Sequence, residues 1–164
     1  MAYTDIVAEI LERGLGMMQK ALADFSDADM LVRPVEGANH ALWMLGHLCV
    51  SEAFMLSAAR AEYANLLPPG FAEHFPQTKD RVNDVTAPLP KVEVLAVYEK
   101  VRRTTIAAVR GLSDADLLRT VPSPFAKGST TTIGFLLNMP SLHSTLHLGQ
   151  IQVIRRKLGK PWLF

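Results

Sequence analysis

FSDADMLVRP, Phe25 to Pro34, returns later in the chain as LSDADLLRTVP, Leu112 to Pro122. Ser-Asp-Ala-Asp is a helix-opening segment: the serine oxygen accepts a backbone N–H three residues on, and an acidic side chain there can return the bond. Pro34 stops the short helix that the first copy opens. Each copy follows one long helical stretch and precedes another, so the repeated unit is a helix pair. Used twice, it gives four long helices in two related halves. The expected fold is all-α, a four-helix bundle with a long crossover between helices two and three, in one domain spanning residues 1–164.

Outward from the repeat, Thr4 and Asp5 offer N-caps. Val7, Ile10, Leu11, Gly14, Met17, Met18, Ala21, Leu22 and Phe25 then recur at helical spacing, which predicts helix one over about residues 4–23. Gly37 and Asn39 lead into helix two, about residues 40–62, which is apolar around most of its circumference and should be the most buried. Residues 63–90 carry Pro68, Pro69, Gly70, Pro76, Pro88 and Pro90 and form the crossover, a length that suits a lid or a long connection. Val92, Leu95, Tyr98, Val101, Thr105, Val109 and Leu112 mark helix three, which stops near Gly111. Thr130–Thr132 caps helix four, which reaches Leu158. Pro140 removes one backbone bond inside it, so a bend is expected one turn before His143. No run reads as the apolar strand of a parallel sheet.

Composition narrows the function. Hydrophobic residues make up 49% of the 164 and charged ones 20%, with net charge +1. That near-neutrality argues against nucleic-acid binding, which needs a concentrated basic surface. Arg155 to Lys157 is the only basic run, and a helix C-terminus accounts for it. Cys49 is the only cysteine, which excludes an internal disulfide and a cysteine-based zinc site. No secretory leader is read at the N-terminus, and the apolar window Ala41–Ala59 is broken by His47, Ser51 and Glu52. It reads as a buried helix and not as a membrane span, and a cytoplasmic protein is expected.

The chemistry lies in SLHSTLHLGQIQVIRRKLGKP, Ser141 to Pro161. Four residues of separation rotate His143 and His147 by only about 40°, so both imidazoles lie on one side of the helix. Their stripe continues through Gln150 and Ile154 and should face the bundle interior, with Leu142, Leu146 and Ile151 as apolar neighbours. His47, inside the most apolar helix, is the natural third ligand for a shared cation, since a buried neutral imidazole needs a partner. Cys49 lies about 200° round the helix from His47 and reads as a small buried hydrophobe. Glu52 is open to three readings: general base, support to the ligands, or solvated carboxylate. His40 is a capping neighbour, about 10 Å from His47. His74, in the Pro-rich connection, is either exposed or reaches over the site. Met17, Met18, Met44 and Met55 read as packing.

On these residues the chain resembles the DinB-like (DinB/YfiT) superfamily. The matching pieces are NHALWMLGHLCVSE, Asn39 to Glu52, and HSTLHLGQIQVIRRKLGKP, His143 to Pro161, with the first histidine on helix two and the pair on helix four. The resemblance covers nearly the whole chain. It implies a bundle in which three histidines hold a divalent metal, commonly zinc or nickel; carried over, the ligands are His47, His143 and His147. Similar proteins include transferases that use low-molecular-weight thiols such as bacillithiol or mycothiol, and dimers are frequent among them. The departure is Pro140, which puts the ligand geometry in question.

The expected activity is therefore metal-dependent: a small thiol, or water, is activated for attack on a small-molecule electrophile, so that the reaction is transfer or hydrolysis. Residues Pro68–Pro76 and Trp43 are expected to line the pocket. Because ligation requires neutral imidazoles, metal affinity is expected to fall as pH drops through about 6.5. The alternative is a non-enzymatic bundle that dimerises or binds a partner, suggested by the lack of a general base on the ligand stripe and by the apolar tail Trp162, Leu163 and Phe164.

Overall fold

The computed structural model of the protein describes residues 2–76 and 87–163, so part of the crossover and Phe164 lie outside the described residues. Helix α1 runs Tyr3–Leu22, α2 Ala41–Ala59, α3 Lys91–Arg110, α4 Asp114–Leu118 and α5 Ile133–Lys157. The four long helices are α1, α2, α3 and α5. Their principal contacts are α1 with α3 and α5, and α2 with α5 and α3. Each half of the sequence thus packs chiefly on the other half and not on itself. Neither helix pair buries its apolar face alone.

The repeat forms as its residues dictate. Ser26 N donates to Asp29 Oδ2 at 2.9 Å and Asp29 N to Ser26 Oγ at 3.1 Å. Ser113 N donates to Asp116 Oδ2 at 3.0 Å and Asp116 N to Ser113 Oγ at 3.2 Å. The second acidic residue of each copy closes this box; the first does something else. Asp27 Oδ1 accepts from Lys91 N, at the start of α3, at 3.0 Å. Asp114 Oδ1 accepts from Thr4 N, at the start of α1, at 3.3 Å. Thr4 and Lys91 are equivalent positions of the two copies, so each half caps the other half's first helix, where orphan N–H groups need an acceptor. Asp5 serves α1 differently from the expected N-cap: its carboxylate accepts from Ala2 N at 3.0 Å.

Helix α2 is buried around most of its surface, as expected. It is long and apolar enough to cross a membrane by length and composition, but 72% of its apolar window is buried inside the bundle. His40 is its N-cap, with Nδ1 accepting from Trp43 N at 3.0 Å. The described part of the crossover contains two 3-10 turns, Ala61–Tyr63 and Ala72–His74. Between and after them Phe71 and Phe75 are buried. A Cβ on Gly46 would lie 2.3 Å from the Phe75 ring, so a glycine is required there for the crossover to lie on α2.

Several expected details differ. A two-stranded antiparallel hairpin, β1 Thr120–Pro122 with β2 Thr130–Thr132, links α4 to α5, with Val121 opposite Thr131. β-branched Thr and Val suit such a ladder, and Pro122 is tolerated because its strand is an edge. Thr132 still caps α5, its Oγ1 accepting from Phe135 N at 3.1 Å. Met18, Met44 and Met55 are core residues, but Met17 and Ile10 are exposed, because the buried face of α1 runs through Leu11, Leu15 and Met18. On α5, Leu142 and Leu146 are exposed too.

Gly159 closes the C-terminus of α5. Gly159 has φ of 68°; Lys160 N reaches Arg155 O at 2.9 Å and Gly159 N reaches Arg156 O at 3.1 Å, the paired bonds of a Schellman end. Arg155 is not part of a solvated basic end. It is buried, with Nη2 on Asp24 Oδ2 at 3.0 Å and Nη1 on Ala21 O at 2.8 Å, tying α5 to the end of α1. Trp162 is exposed and lies under the Arg156 guanidinium, while Leu163 packs against the core.

Candidate metal centre

Helix α5 passes through Pro140 without interruption, and His143 and His147 one turn later still turn toward α2. There they meet His47. His143 Nε2 lies 3.2 Å from His47 Nε2 and 3.1 Å from His147 Nε2. One ring nitrogen from each of the three falls within 4.8 Å of the others, and all three side chains are half-buried. The sequence reading brought these three residues together, and the structure does the same.

The arrangement fits a cation better than a hydrogen-bonded cluster. Gln150 Oε1 lies 2.8 Å from His147 Nδ1, which places a proton on that nitrogen and leaves the Nε2 lone pair facing inward. Three inward-facing ring nitrogens at such spacing repel unless a proton or a metal lies between them. Tetrahedral zinc with Zn–N of about 2.0–2.1 Å sets its ligand nitrogens about 3.3 Å apart, close to the separations found. Burial is the main reason that protons are excluded. It pushes the pKa of His47 down from 6.5 to about 4, with further lowering by His143 and His147. His143 also falls to about 4, from burial first and then His147. His147 is lowered by burial and partly restored by Gln150. The donor set is thus neutral at pH 7, as ligation requires.

Two cavities flank the cluster. One, of about 380 Å3, is lined by His47, Ser51, Phe54, Phe125, Met139 and His143 among others. A smaller one, of about 240 Å3, touches His147, Gln150, Asn39 and Glu36. Trp43 stacks on His47, with ring centroids 4.6 Å apart and planes 10° from parallel, so it fixes the imidazole plane. The Pro68–Pro76 segment does not line either cavity, contrary to expectation. Its aromatic residues are inserted into the core at Gly46, and the β1–β2 loop takes its place with Phe125. His74 is exposed, beside Phe75 and away from the cluster. Cys49 is buried with its thiol on Leu45 O at 3.2 Å, and burial raises its pKa well above the usual range.

Glu52 is none of the solvated or basic groups considered from the sequence. It is 1% exposed, and the Arg102 Nε holds its two carboxylate oxygens at 2.9 and 3.0 Å. Arg102 is 0% exposed and was missed. Its Nη1 reaches Leu11 O at 3.4 Å, and its Nη2 reaches Pro140 O and Ser144 Oγ, each at 3.3 Å. One guanidinium therefore touches all four long helices, and two of its partners, Glu52 and Ser144, directly follow Ser51 and His143 in sequence. The available signal was a pair: one acid on the most apolar helix and one base within the apolar face of α3, which only each other can satisfy.

A bundle of this connectivity with three convergent histidines between its second and fourth long helices has the donor set of a divalent-metal site. The sequence profile of the DinB superfamily matches residues 10–151, and the chain belongs to that superfamily. Among solved structures it is similar to YfiT from Bacillus subtilis, with a TM-score of 0.69 and 18% identity over 96% of this chain and 89% of that one. YfiT is described as "a probable metal-dependent hydrolase with an unusual four-helix bundle topology". A conserved protein from Enterococcus faecalis is also similar, with a TM-score of 0.71 and 17% identity over 98% of this chain and 99% of that one. At these identities the likeness establishes the fold. No curated protein matches the sequence.

Proposed function

We propose that this chain is a metal-dependent enzyme in which His47, His143 and His147 hold a divalent cation, zinc or nickel, and a small nucleophile attacks a small-molecule electrophile beside it. The observation that carries the reading is the convergence of three neutral Nε2 atoms on one point at the mouth of a cavity. When bound, the cation supplies Lewis-acid charge that lowers the pKa of a coordinated nucleophile. The residues of the chain do the rest. Gln150 holds the His147 tautomer, Trp43 holds the His47 ring, and the Ser51 hydroxyl, 3.5 Å from His47 Nε2, offers a hydrogen bond to a reacting group. Phe54, Phe125 and Met139 exclude water from the cavity wall.

The nucleophile we favour is a low-molecular-weight thiol. The nearby carboxylate, Glu52, is locked to Arg102, and among the described residues no carboxylate lines the larger cavity. With no carboxylate in that lining, the lowering of pKa must come from the cation, and a thiol that starts from about 8.5 needs less of it than water that starts from about 15.7. Water is the second reading, supported by the description of YfiT as a hydrolase. Protein purified without a metal-binding tag should hold near-stoichiometric zinc or nickel, lost in His143→Ala. Metal content unchanged after removal of all three histidines would overturn the site. Thiol conjugation assayed against ester and amide hydrolysis on the loaded protein then separates the two nucleophiles.

A further inference from the structure

The larger cavity tells which electrophile the site accepts. It is framed on one side by α2 (His47, Ser51, Phe54, Met55), on another by α5 (Met139, His143), and is roofed by Pro124 and Phe125 of the β1–β2 loop. Apart from the two imidazoles at its end, its described lining is Ser51, Phe54, Met55, Pro124, Phe125 and Met139, none of which carries an ionisable group. The Glu52–Arg102 ion pair is sealed in the core and does not line the cavity. At about 380 Å3 the cavity is at the small end of the roughly 300–1,000 Å3 found for small-molecule sites.

Its aromatic groups are placed for contact. Phe54 and Phe125 are about half exposed, at 49% and 55%, and Phe125 meets Phe135 edge-on at 6.5 Å. Phe54 projects from α2 and Phe125 from the β1–β2 loop, and Phe125 is not needed to hold the hairpin, whose ladder is made by backbone bonds. Gathered round a cavity that ends at two imidazoles, they form the wall of a binding slot with one polar end. A charge on the body of the substrate, away from the imidazole end, would go unmatched along that wall, because none of its described side chains can pair with it.

We infer that Phe54, Phe125 and Met139 select an electrophile with a neutral, flat apolar body, of the size of one or two aromatic rings, and orient its reacting group toward His47, Ser51 and His143. This rests on the proposed function for the meaning of "reacting group", but the slot itself exists without any metal, and its test is independent of turnover.

The test uses metal-free protein and three naphthalenes of matched size: neutral 1-naphthamide, anionic 1-naphthoate and cationic 1-naphthylmethylammonium, with binding followed by ligand-observed NMR titration. The expected result is that naphthamide binds at least about tenfold tighter than either ion. Phe125→Ala and Met139→Ala should each weaken it by about three- to tenfold, while Leu118→Ala, an exposed apolar change elsewhere, leaves it unchanged. Circular dichroism confirms that each variant is folded. Equal affinity for the three probes, or naphthamide binding indifferent to both slot substitutions, overturns the inference. Zinc titration of the same samples separates the two readings: zinc binding without naphthamide selectivity sinks the slot alone, and naphthamide selectivity without zinc binding sinks the proposed function alone.

Discussion

Arg102 grips both oxygens of Glu52 at 2.9 and 3.0 Å, with neither side chain more than 2% exposed. The pair joins α3 to α2, and the remaining donors of the guanidinium reach α1 and α5. Ser51 precedes one partner and His143 precedes Ser144, another. The junction therefore sets how far α2 stands from α5, and with it the separation of His47 from His143.

From this follows a pair of stability measurements by urea unfolding. Glu52→Ala leaves a buried guanidinium uncompensated and should cost about 3–5 kcal/mol. Replacing both partners, Glu52→Leu with Arg102→Met, should cost much less, because an apolar pair of similar volume needs no solvation. Zinc affinity is expected to fall in the double variant even where stability is retained. A double variant as unstable as Glu52→Ala would show that the ion pair does more than satisfy itself.

The Gly46–Phe75 contact gives a second prediction. A methyl group on residue 46 has no room unless the Phe75 ring moves, so Gly46→Ala should destabilise by about 1–3 kcal/mol through overpacking, despite the better helix propensity of alanine. In a double-mutant cycle, Phe75→Ala should cost less in the Gly46→Ala background than in the wild type, because there the removal of the ring also relieves the clash. Additive costs, read from denaturation midpoints, would contradict the contact.

How much of this was legible in the sequence follows from how local each cause is. The Ser-Asp-Ala-Asp repeat fixed two capping boxes, and helical spacing fixed four long helices, since both depend on residues three or four apart. His143 and His147 shared a face for the same reason. That Asp27 caps α3 and Asp114 caps α1 was hidden, because an N–H from the other half of the chain has no local signature. Arg102 was hidden likewise: beside Lys100 and Arg103 it reads as one more solvated base of α3 until its acid on α2 is placed opposite. The pocket wall was misplaced from residues 68–76 to Phe125, because proline density marks a connection without saying which face it crosses. Leu142 and Leu146 are apolar yet exposed, because apolar character alone does not say which side of α5 faces the bundle.

Burial of the histidines moves the pH window. In metal-free protein His47 and His143 titrate near 4, against 6.5 for the ordinary group. Between those values the unfolded chain binds more protons than the folded one, so stability rises with pH there. The contribution is complete above about pH 6.5 and is lost progressively as pH falls toward 4. Urea midpoints at pH 7.5, 6 and 5 should fall more steeply than those of a variant with all three histidines changed to leucine. The metal should follow the same depressed values: zinc held at pH 6 should remain at pH 5 and leave between pH 5 and 4, lower than the 6.5 expected for exposed imidazoles. Release centred on pH 6.5 would mean that the rings are solvated in solution.

Gln150 separates geometry from mere proximity. It is exposed, so its replacement should leave the fold intact, yet its Oε1 is the acceptor that fixes the His147 tautomer at 2.8 Å. Without it, His147 can place its proton on Nε2, the atom that must face the metal, and the ring is free to turn. Gln150→Ala should weaken zinc binding by about 10–100-fold, the range found when such supporting acceptors are removed. Gln150→Glu keeps an acceptor and adds negative charge, which raises ligand basicity, so it should bind zinc at least as tightly as the wild type. Competition titrations against a chromophoric chelator read both. If alanine and glutamate weaken zinc equally, the hydrogen bond is not what orients His147, and the residue acts only by filling space beside the ring.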